Sequence, residues 1–422
     1  MVPRRDKRMK AIIIGGGIIG LFSAYYLNKA GWQVEVLEQG DLADNASYGN
    51  AGMIVPSHFV PLAAPGMVEQ GIRWMFDSKS PFYVKPSLDP ALIGWGLKFL
   101  KAANKKHVER SAEALRDLSL LSKKLYQEFD AEAGFNFGLE DKGIMMLFKT
   151  AKFEDEERHT AEKAQKLGLD AQYLSADECR ALQPEVEMDV LGAVLYHCDA
   201  HLYPNKLMEG LVKLLENSGV IIHRNTTITE VKHQNGKITS VNSGNNTFTA
   251  DKYVLAGGSW SAALGKLAGI KVPLMPGKGY SFMLPEPKQR MSIPSLLCEA
   301  RVSVTPMNGS IRFGGTMEIG KLNNKINMNR VEGIVQSIPK YFPQFKPAIP
   351  EQKDIWYGFR PCSPDGLPYI GRTAKYSNLA VATGHGMMGL SLAPATGKLL
   401  AETLQEQAPS VNIGLFSADR YN

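Results

Sequence analysis

The hydrophobic pattern is clearest over residues 10–38. A β-branched run at 11–14 leads into Gly15-x-Gly17-x-x-Gly20. Apolar residues then recur at helical spacing over 18–30, Gly31 stops the helix, and 33–37 alternates as a second strand that ends at Glu38. The same reading predicts a strand at 220–223, hairpins at Asn235-Gly236 and Asn245-Asn246, and a returning strand at 253–256 before Gly257 and Gly258. Near the C-terminus 379–382 is a short strand, 383–389 holds three glycines, and 391–404 alternates as a helix. Between these elements, 58–141 reads as helical and amphipathic, including one helix over 92–106 that sets Trp95 and Phe99 beside Lys98, Lys101, Lys105 and Lys106. Residues 273–350 are strand-rich, with 301–305 pairing with 310–316 about a turn at Asn308-Gly309. No internal repeat or low-complexity stretch occurs.

The first glycine turn has a chemistry. Gly15 permits a tight turn, Gly17 admits a pyrophosphate to the backbone, and Gly20 lets helix and strand pack closely. The phosphates rest on a helix N-terminus, and Glu38 is placed to accept ribose hydroxyls. The antiparallel meander before residue 253 is not the βαβ continuation of an NAD domain. With nucleotide-binding elements at both ends and unrelated sequence between, the nucleotide domain is discontinuous, interrupted by the middle of the chain.

Composition narrows the classes. A chain of 422 residues suits two interleaved domains, and 44% hydrophobic with 21% charged residues excludes disorder. Forty glycines are an excess. The net charge is +6, and Arg4, Arg5, Lys7 and Arg8 against Asp6 supply half of it. That weakens a nucleic-acid reading, although such a tail could touch anionic lipid. Cys179, Cys198, Cys298 and Cys362 have no spacing for zinc, an iron–sulfur cluster or a redox dithiol, and read as reduced thiols of a cytoplasmic protein. No metal is expected. The basic head and uncharged run over 11–28 imitate a signal peptide, but Gly15, Gly16, Gly17 and Gly20 stand where leucines would, and no cleavage site follows before Lys29. No stretch approaches the length of a transmembrane helix.

Further blocks follow in order: Ser47-Tyr48-Gly49-Asn50-Ala51-Gly52-Met53, Ala64-Pro65-Gly66, Gly257-Gly258-Ser259-Trp260, Gly277-Lys278-Gly279-Tyr280-Ser281, Gly314-Gly315-Thr316, Gly358-Phe359-Arg360-Pro361-Cys362-Ser363-Pro364-Asp365-Gly366 and Thr383-Gly384-His385-Gly386. Together with the first turn and Glu38 they resemble the FAD-dependent D-amino acid dehydrogenases, within the wider D-amino acid oxidase and glycine oxidase group. The resemblance runs from about residue 10 to about residue 402. It implies an α/β fold: a discontinuous Rossmann-like FAD-binding domain and a second substrate domain of mixed β-sheet plus helices, as in D-amino acid oxidase. The expected division is a basic tail at 1–9, FAD-domain parts at 10–57, 142–272 (with connecting strands) and 351–422, a helical part of the substrate domain at 58–141 and its second part at 273–350.

By the same resemblance FAD is bound noncovalently. Its contacts are Gly15, Gly17, Ile18, Ile19, Gly20, Glu38 and Gln39 at the first turn, and Ser47, Asn50, Ala51, Gly52 and Met53 along the pyrophosphate and flavin. Ile228 meets the adenine through its backbone, and Gly258 and Trp260 lie by the nucleotide. Gly384, Gly386, Met387, Met388, Gly389 and Leu390 line the flavin pyrimidine side. Backbone N–H groups and a helix N-terminus there would stabilise negative charge on reduced flavin. Arg360 is the expected anchor for the substrate carboxylate, since a guanidinium grips a carboxylate bidentately. His385 either tunes the flavin edge or orients the turn. Tyr280, Tyr357 and Arg301 are further pocket candidates, each also readable as core. Glycine oxidases carry an arginine two residues after the histidine of the terminal turn. Met387-Met388 stands there instead, which leaves one obvious carboxylate anchor and favours substrates larger or less polar than glycine. Cys362 does not match the spacing of a covalent flavin link, and Pro364-Asp365-Gly366 reads as a turn.

The implied reaction is oxidative deamination of a D-amino acid: hydride passes from Cα to flavin N5, and the imino acid hydrolyses to a 2-oxo acid and ammonia. It needs no acid–base machinery if the amine arrives neutral. Electrons would pass to a quinone or other acceptor, with peripheral contact at the cytoplasmic face of the inner membrane through residues 92–106. The alternative for that segment is a solvated helix packed on its own core. Two rival functions stand beside this one. The first is an oxidase of glycine, sarcosine or a cyclic amino acid such as D-proline or hydroxy-D-proline that uses O2. The second is the flavin module of an RNA-modifying protein, against which stands the lack of any arginine-rich stripe; no nucleic-acid partner is expected.

Overall fold

The computed structural model describes residues 8–67, 69, 80–84 and 87–422. The run at 11–14 is wholly buried and lies inside a six-stranded sheet, in the order Tyr369–Arg372, Leu379–Thr383, Lys252–Leu255, Lys10–Ile14, Gln33–Leu37, Ile221–His223. All neighbours are parallel except the first pair. Both faces of the first strand are covered, which is why it is continuously apolar. Ile13 packs with Leu21, Phe22 and Leu400 on one face, while Ile12 and Ile14 pack with Tyr253, Leu255 and Val381 on the other.

Helices Ile18–Lys29 and Ala393–Leu404 cross the first face in close contact. A Cβ on Gly397 would fall 2.6 Å from the carbonyl oxygen of Phe22, so the two backbones nearly touch. Tyr126 and Phe129 of the long helix Lys105–Glu132 meet Phe22 edge-on and, fully buried, contribute about 1.5–3 kcal/mol each. The second face carries the predicted meander of Glu230–Gln234, Lys237–Ser243 and Asn246–Phe248.

A nine-stranded sheet forms the other layer. Its order is Trp356–Cys362, Met275–Leu284, Ser310–Ile319, Val302–Met307, Ser295–Leu297, Ile144–Phe148, Gly192–Tyr196, Ala171–Ser175, with Phe82–Val84 beside the end of Ser310–Ile319. Helix Met328–Tyr341 buries Val331, Ile334 and Ile338 against Tyr280, Val304 and Phe313 of this sheet. The hairpin expected about Asn308-Gly309 is present, with both strands longer than predicted.

Three expectations change. Residues 142–272, expected as a nucleotide-domain part with connecting strands, divide: 144–148, 171–175 and 192–196 pair in the nine-stranded sheet, and only 221–223 and 252–255 reach the six-stranded one; 356–362, expected in the last nucleotide-domain part, also pairs in the nine-stranded sheet. The cause is the parallel pairing of Ser295–Leu297 with Met145–Leu147, a non-local contact that periodicity does not encode. The single helix at 92–106 is two helices, Pro90–Ala102 and Lys105–Glu132, because Asn104 ends one and caps the next by accepting from His107 N at 3.0 Å. Phe82–Val84, in the region read as helical, is a strand. The rest of that reading over 68, 70–79 and 85–86 lies outside the described residues, as do residues 1–7 of the basic tail.

Candidate active site

A cavity of about 1390 Å³ lies between the two sheets, larger than the roughly 300–1,000 Å³ of a single small-ligand pocket. Its nucleotide end is the first glycine turn. Gly15 has φ +116°, and a Cβ there would strike the Ala256 carbonyl at 2.4 Å. A Cβ on Gly20 would fall 1.9 Å from the Gly15 carbonyl, so that glycine serves helix–strand packing and does not line the cavity. Gly17 does line it, and the nearest atom to its missing Cβ is Ser47 Oγ at 3.9 Å. The turn thus leaves room for a phosphate against bare backbone. Glu38 is fixed by accepting from Gly16 N at 2.6 Å and Gly40 N at 2.8 Å, and its remaining lone pairs are available to a ribose. Ile18, Ile19, Gln39, Ile228, Gly258 and Trp260 line the same end.

The loop carrying Ser47, Asn50, Ala51 and Met53 is clamped between the layers. Ser47 Oγ accepts from Ile18 N at 3.1 Å, and Ser281 Oγ donates to Gly49 O at 2.8 Å. Buried Arg312 donates to Tyr48 O at 2.9 Å, Asn50 O at 2.7 Å and Asn205 Oδ1 at 2.8 Å. Desolvation lowers its guanidinium to about 10, still protonated at neutral pH. Sequence reading missed Arg312 because its partners are carbonyls far along the chain. Gly52 lies off the cavity, packed on the Leu202 carbonyl.

At the other end Arg360, from Trp356–Cys362, lines the cavity. Its Nη1 donates to Thr316 O at 2.6 Å, and among the described residues it has no carboxylate within ion-pair distance. The guanidinium lies over Gly279, where a Cβ would stand 2.2–2.4 Å from it. Burial pulls Arg360 below its ordinary value, but guanidinium remains cationic at neutral pH. Arg301 also borders the cavity, so Arg360 is not its one cation.

Gly386, Met387, Met388, Gly389 and Leu390 line the cavity through a short 3-10 turn, while Gly384 packs against the Tyr369 ring. His385 also borders the cavity. Its Nε2 meets Thr396 Oγ1 at 2.9 Å, its Nδ1 has no hydrogen-bond partner among the described residues, and burial lowers it to about 3, so the ring is neutral. Tyr280 borders the cavity too, but its hydroxyl donates to Glu318 at 2.8 Å and accepts from Asn327 N at 3.1 Å. That engagement favours the core reading of the phenol over a role in the pocket. Tyr357 and Lys278 do not line the cavity; Lys278 Nζ donates to Asn323 at 2.6 Å and Lys325 O at 2.8 Å. Cys362 likewise lies off it, buried against Met317, with its thiol pushed up to about 12 by desolvation. Asp365, read only as a turn residue, accepts from Arg420 Nε at 2.7 Å and Nη2 at 3.0 Å, latching the C-terminal segment beside the site.

One cavity thus joins the glycine turn of a mostly parallel sheet to residues of a mixed β-sheet. The profile described as FAD dependent oxidoreductase matches residues 10–403, and the chain belongs to that family. It is 31% identical to a D-amino acid dehydrogenase of Methylobacterium nodulans over 424 aligned positions, covering 98% of this chain and 99% of the relative. It is 30% identical to one from Vibrio vulnificus, covering 96% and 98%. In structure it resembles glycine oxidase from Bacillus cereus with a TM-score of 0.74 and 24% identity, over 95% of this chain and 96% of that one.

Proposed function

We propose that this enzyme oxidises D-amino acids to 2-oxo acids and ammonia, passing the electrons to a quinone-like acceptor. Bound FAD supplies the hydride acceptor; the protein supplies orientation. The observation that carries the reading is Arg360: a cation without a carboxylate partner among the described residues, opening on the same cavity as the nucleotide turn. There it would hold the substrate carboxylate bidentately and fix which face of Cα meets the cofactor. The six-stranded sheet would carry the dinucleotide and the nine-stranded sheet the substrate. Met67, Phe82, Met146, Leu296 and Met317 make the adjoining wall apolar, which suits a substrate larger than glycine.

The D configuration rests on the relatives named above. Among the described residues no helix is long and apolar enough to cross a membrane. Helix Pro90–Ala102 supports contact with a membrane surface instead: Ile93, Leu97 and Leu100 are exposed with Leu88 beside them, interleaved with Lys98 and Lys101. Trp95 pins its other side by donating to Cys362 O at 2.9 Å. Anaerobic flavin bleaching with paired D- and L-amino acids tests the substrate reading, and bleaching by L-isomers alone refutes it. Reoxidation of the reduced enzyme tests the acceptor: an oxygen rate above the quinone rate at air saturation makes this an oxidase. FAD should appear in the supernatant after acid precipitation; flavin retained in the pellet overturns noncovalent binding.

A further inference from the structure

A hydrogen-bonded chain of three side chains leads out of the cavity into the core, and the reading above gives none of them a role. His58 lines the cavity. Its Nδ1 lies 3.1 Å from Ser57 Oγ, and Ser57 Oγ donates to Asp199 Oδ2 at 2.6 Å. Asp199 is completely buried, and its other oxygen accepts from Ser57 N at 3.0 Å. With the Ser57 hydroxyl proton directed at Asp199, Ser57 Oγ can only accept from the ring, so His58 carries its proton on Nδ1 and presents a bare Nε2. No hydrogen bond within the protein occupies that Nε2 among the described residues.

We infer that His58, Ser57 and Asp199 form a proton relay that removes the ammonium proton of the bound amino acid before hydride leaves Cα. The inference rests on the proposed amino acid substrate. In the transfer, the substrate N–H bond breaks as Nε2 of His58 takes the proton. The Nδ1 proton passes to Ser57 Oγ, and the Ser57 hydroxyl proton passes to Asp199. The products are a neutral amine, a neutral His58 protonated on Nε2 and a protonated Asp199. No electron changes hands, and the C–H bond is untouched. The amine lone pair is then free to assist departure of the hydride.

The surroundings suit this direction. His58 is lowered to about 4, by burial first and then by Arg301, so the ring passes a proton on more readily than it keeps one. Asp199 is raised to about 7, by burial, against the hydrogen bonds from Ser57 and Cys198 and the charge of Lys123. Tyr196, packed beside Asp199, stays neutral. The group able to hold the proton at neutral pH is therefore the buried one at the end of the chain. A general base in this position contributes about 10²–10⁴-fold.

The test is single-turnover flavin reduction of holoenzyme across pH 6–10 for wild type, His58→Phe, Ser57→Ala and Asp199→Asn. Wild type should speed up as pH rises through about 7, where Asp199 ionises. Each variant should lose that limb and fall about 10²-fold at pH 7, converging on wild type once the substrate ammonium ionises in solution. Asp199→Asn can retain the acceptor for Ser57 N, and Ser57→Ala leaves both ends of the chain intact, so at least one variant reports on folded protein. A loss equal at every pH, or a wild-type profile in all three variants, overturns the relay. Infrared difference spectra give a readout independent of turnover: a protonated-carboxyl C=O band that titrates near pH 7 in wild type and is absent in Asp199→Asn supports it, and no such band overturns it. If wild type is not reduced by any amino acid, the functional reading fails, while the carboxyl titration still tests the chain.

Discussion

Replacing Gly279 by alanine puts one methyl group under the guanidinium of Arg360 and changes little else. The new Cβ would stand 2.2 Å from Nη1, 2.3 Å from Nη2 and 2.4 Å from Cζ. Ordinary contact is about 3.5–4 Å, so the guanidinium must retreat by roughly 1–1.5 Å. Gly279 lies in a strand opposite Gly358 and outside the left-handed region, so alanine fits the backbone. The atoms in the way are the end of a flexible side chain, and they move before the sheet does. Misplacing an orienting group by about 1 Å costs about 10²-fold, or about 2.7 kcal/mol. Gly279→Ala should therefore lower kcat/KM for D-amino acids by about 10²-fold with unchanged FAD content and melting temperature. Arg360→Ala should do the same, and the double variant should lose no more than either alone, since both remove one contact. The assay is anaerobic flavin reduction alongside titration with a non-reacting carboxylate that perturbs the flavin spectrum. A Gly279→Ala enzyme that binds the carboxylate as wild type does would show that the guanidinium over Gly279 is not the anchor.

Glu38→Ala should weaken FAD retention, because it leaves Gly16 N and Gly40 N without their acceptor and loses about 1.5–3 kcal/mol per charged hydrogen bond; equal flavin content after gel filtration contradicts this. Arg420→Ala should destabilise the holoenzyme by about 3–5 kcal/mol by leaving Asp365 buried and unpaired, read by denaturant unfolding. Burial alone would raise the Asp365 carboxyl, but pairing with Arg420 wins and holds it below the ordinary value. Its contribution is thus full above the unfolded carboxylate value of about 3.9 and lost as pH falls through the lowered folded value. In Arg420→Ala burial acts on the carboxyl without its partner and raises it, so the acid loss carried by Asp365 should disappear, and an unchanged acid limb would exclude the latch from acid stability.

The nucleotide layer was legible because its signals are local. Gly15, Gly17 and Gly20 sit between a buried β-branched run and an amphipathic helix, and Asn235-Gly236 marks a hairpin within a few residues. The substrate layer was only half legible: the hairpin about Asn308-Gly309 could be read, but nothing near residue 145 announces that it pairs with residue 295. Asn104 did carry a signal, as a capping residue inside an apparently continuous helical stretch, and lysine periodicity across it obscured the break. Arg360 was found through its motif, whereas Gly279 beneath it was one glycine among many. His58 and Ser57 escaped because their acid, Asp199, is 142 residues away.

The order in which the chain builds the nucleotide sheet sets a timetable for synthesis. Lys10 N bonds to Asp251 across 241 residues, and the strand at 252–255 in turn waits for 379–383. At about 5–20 residues per second the first strand is made on the order of 10–50 s before its neighbour on that side exists. Residues 11–14 therefore spend that interval as an unpaired, uncharged β-branched edge, a liability for wrong pairing. FAD cannot assist early, since the loop at 256–260 and the turn at 384–390 that complete its cavity arrive late or last. Expression should thus respond to chaperone supply during translation and to flavin supply only after release.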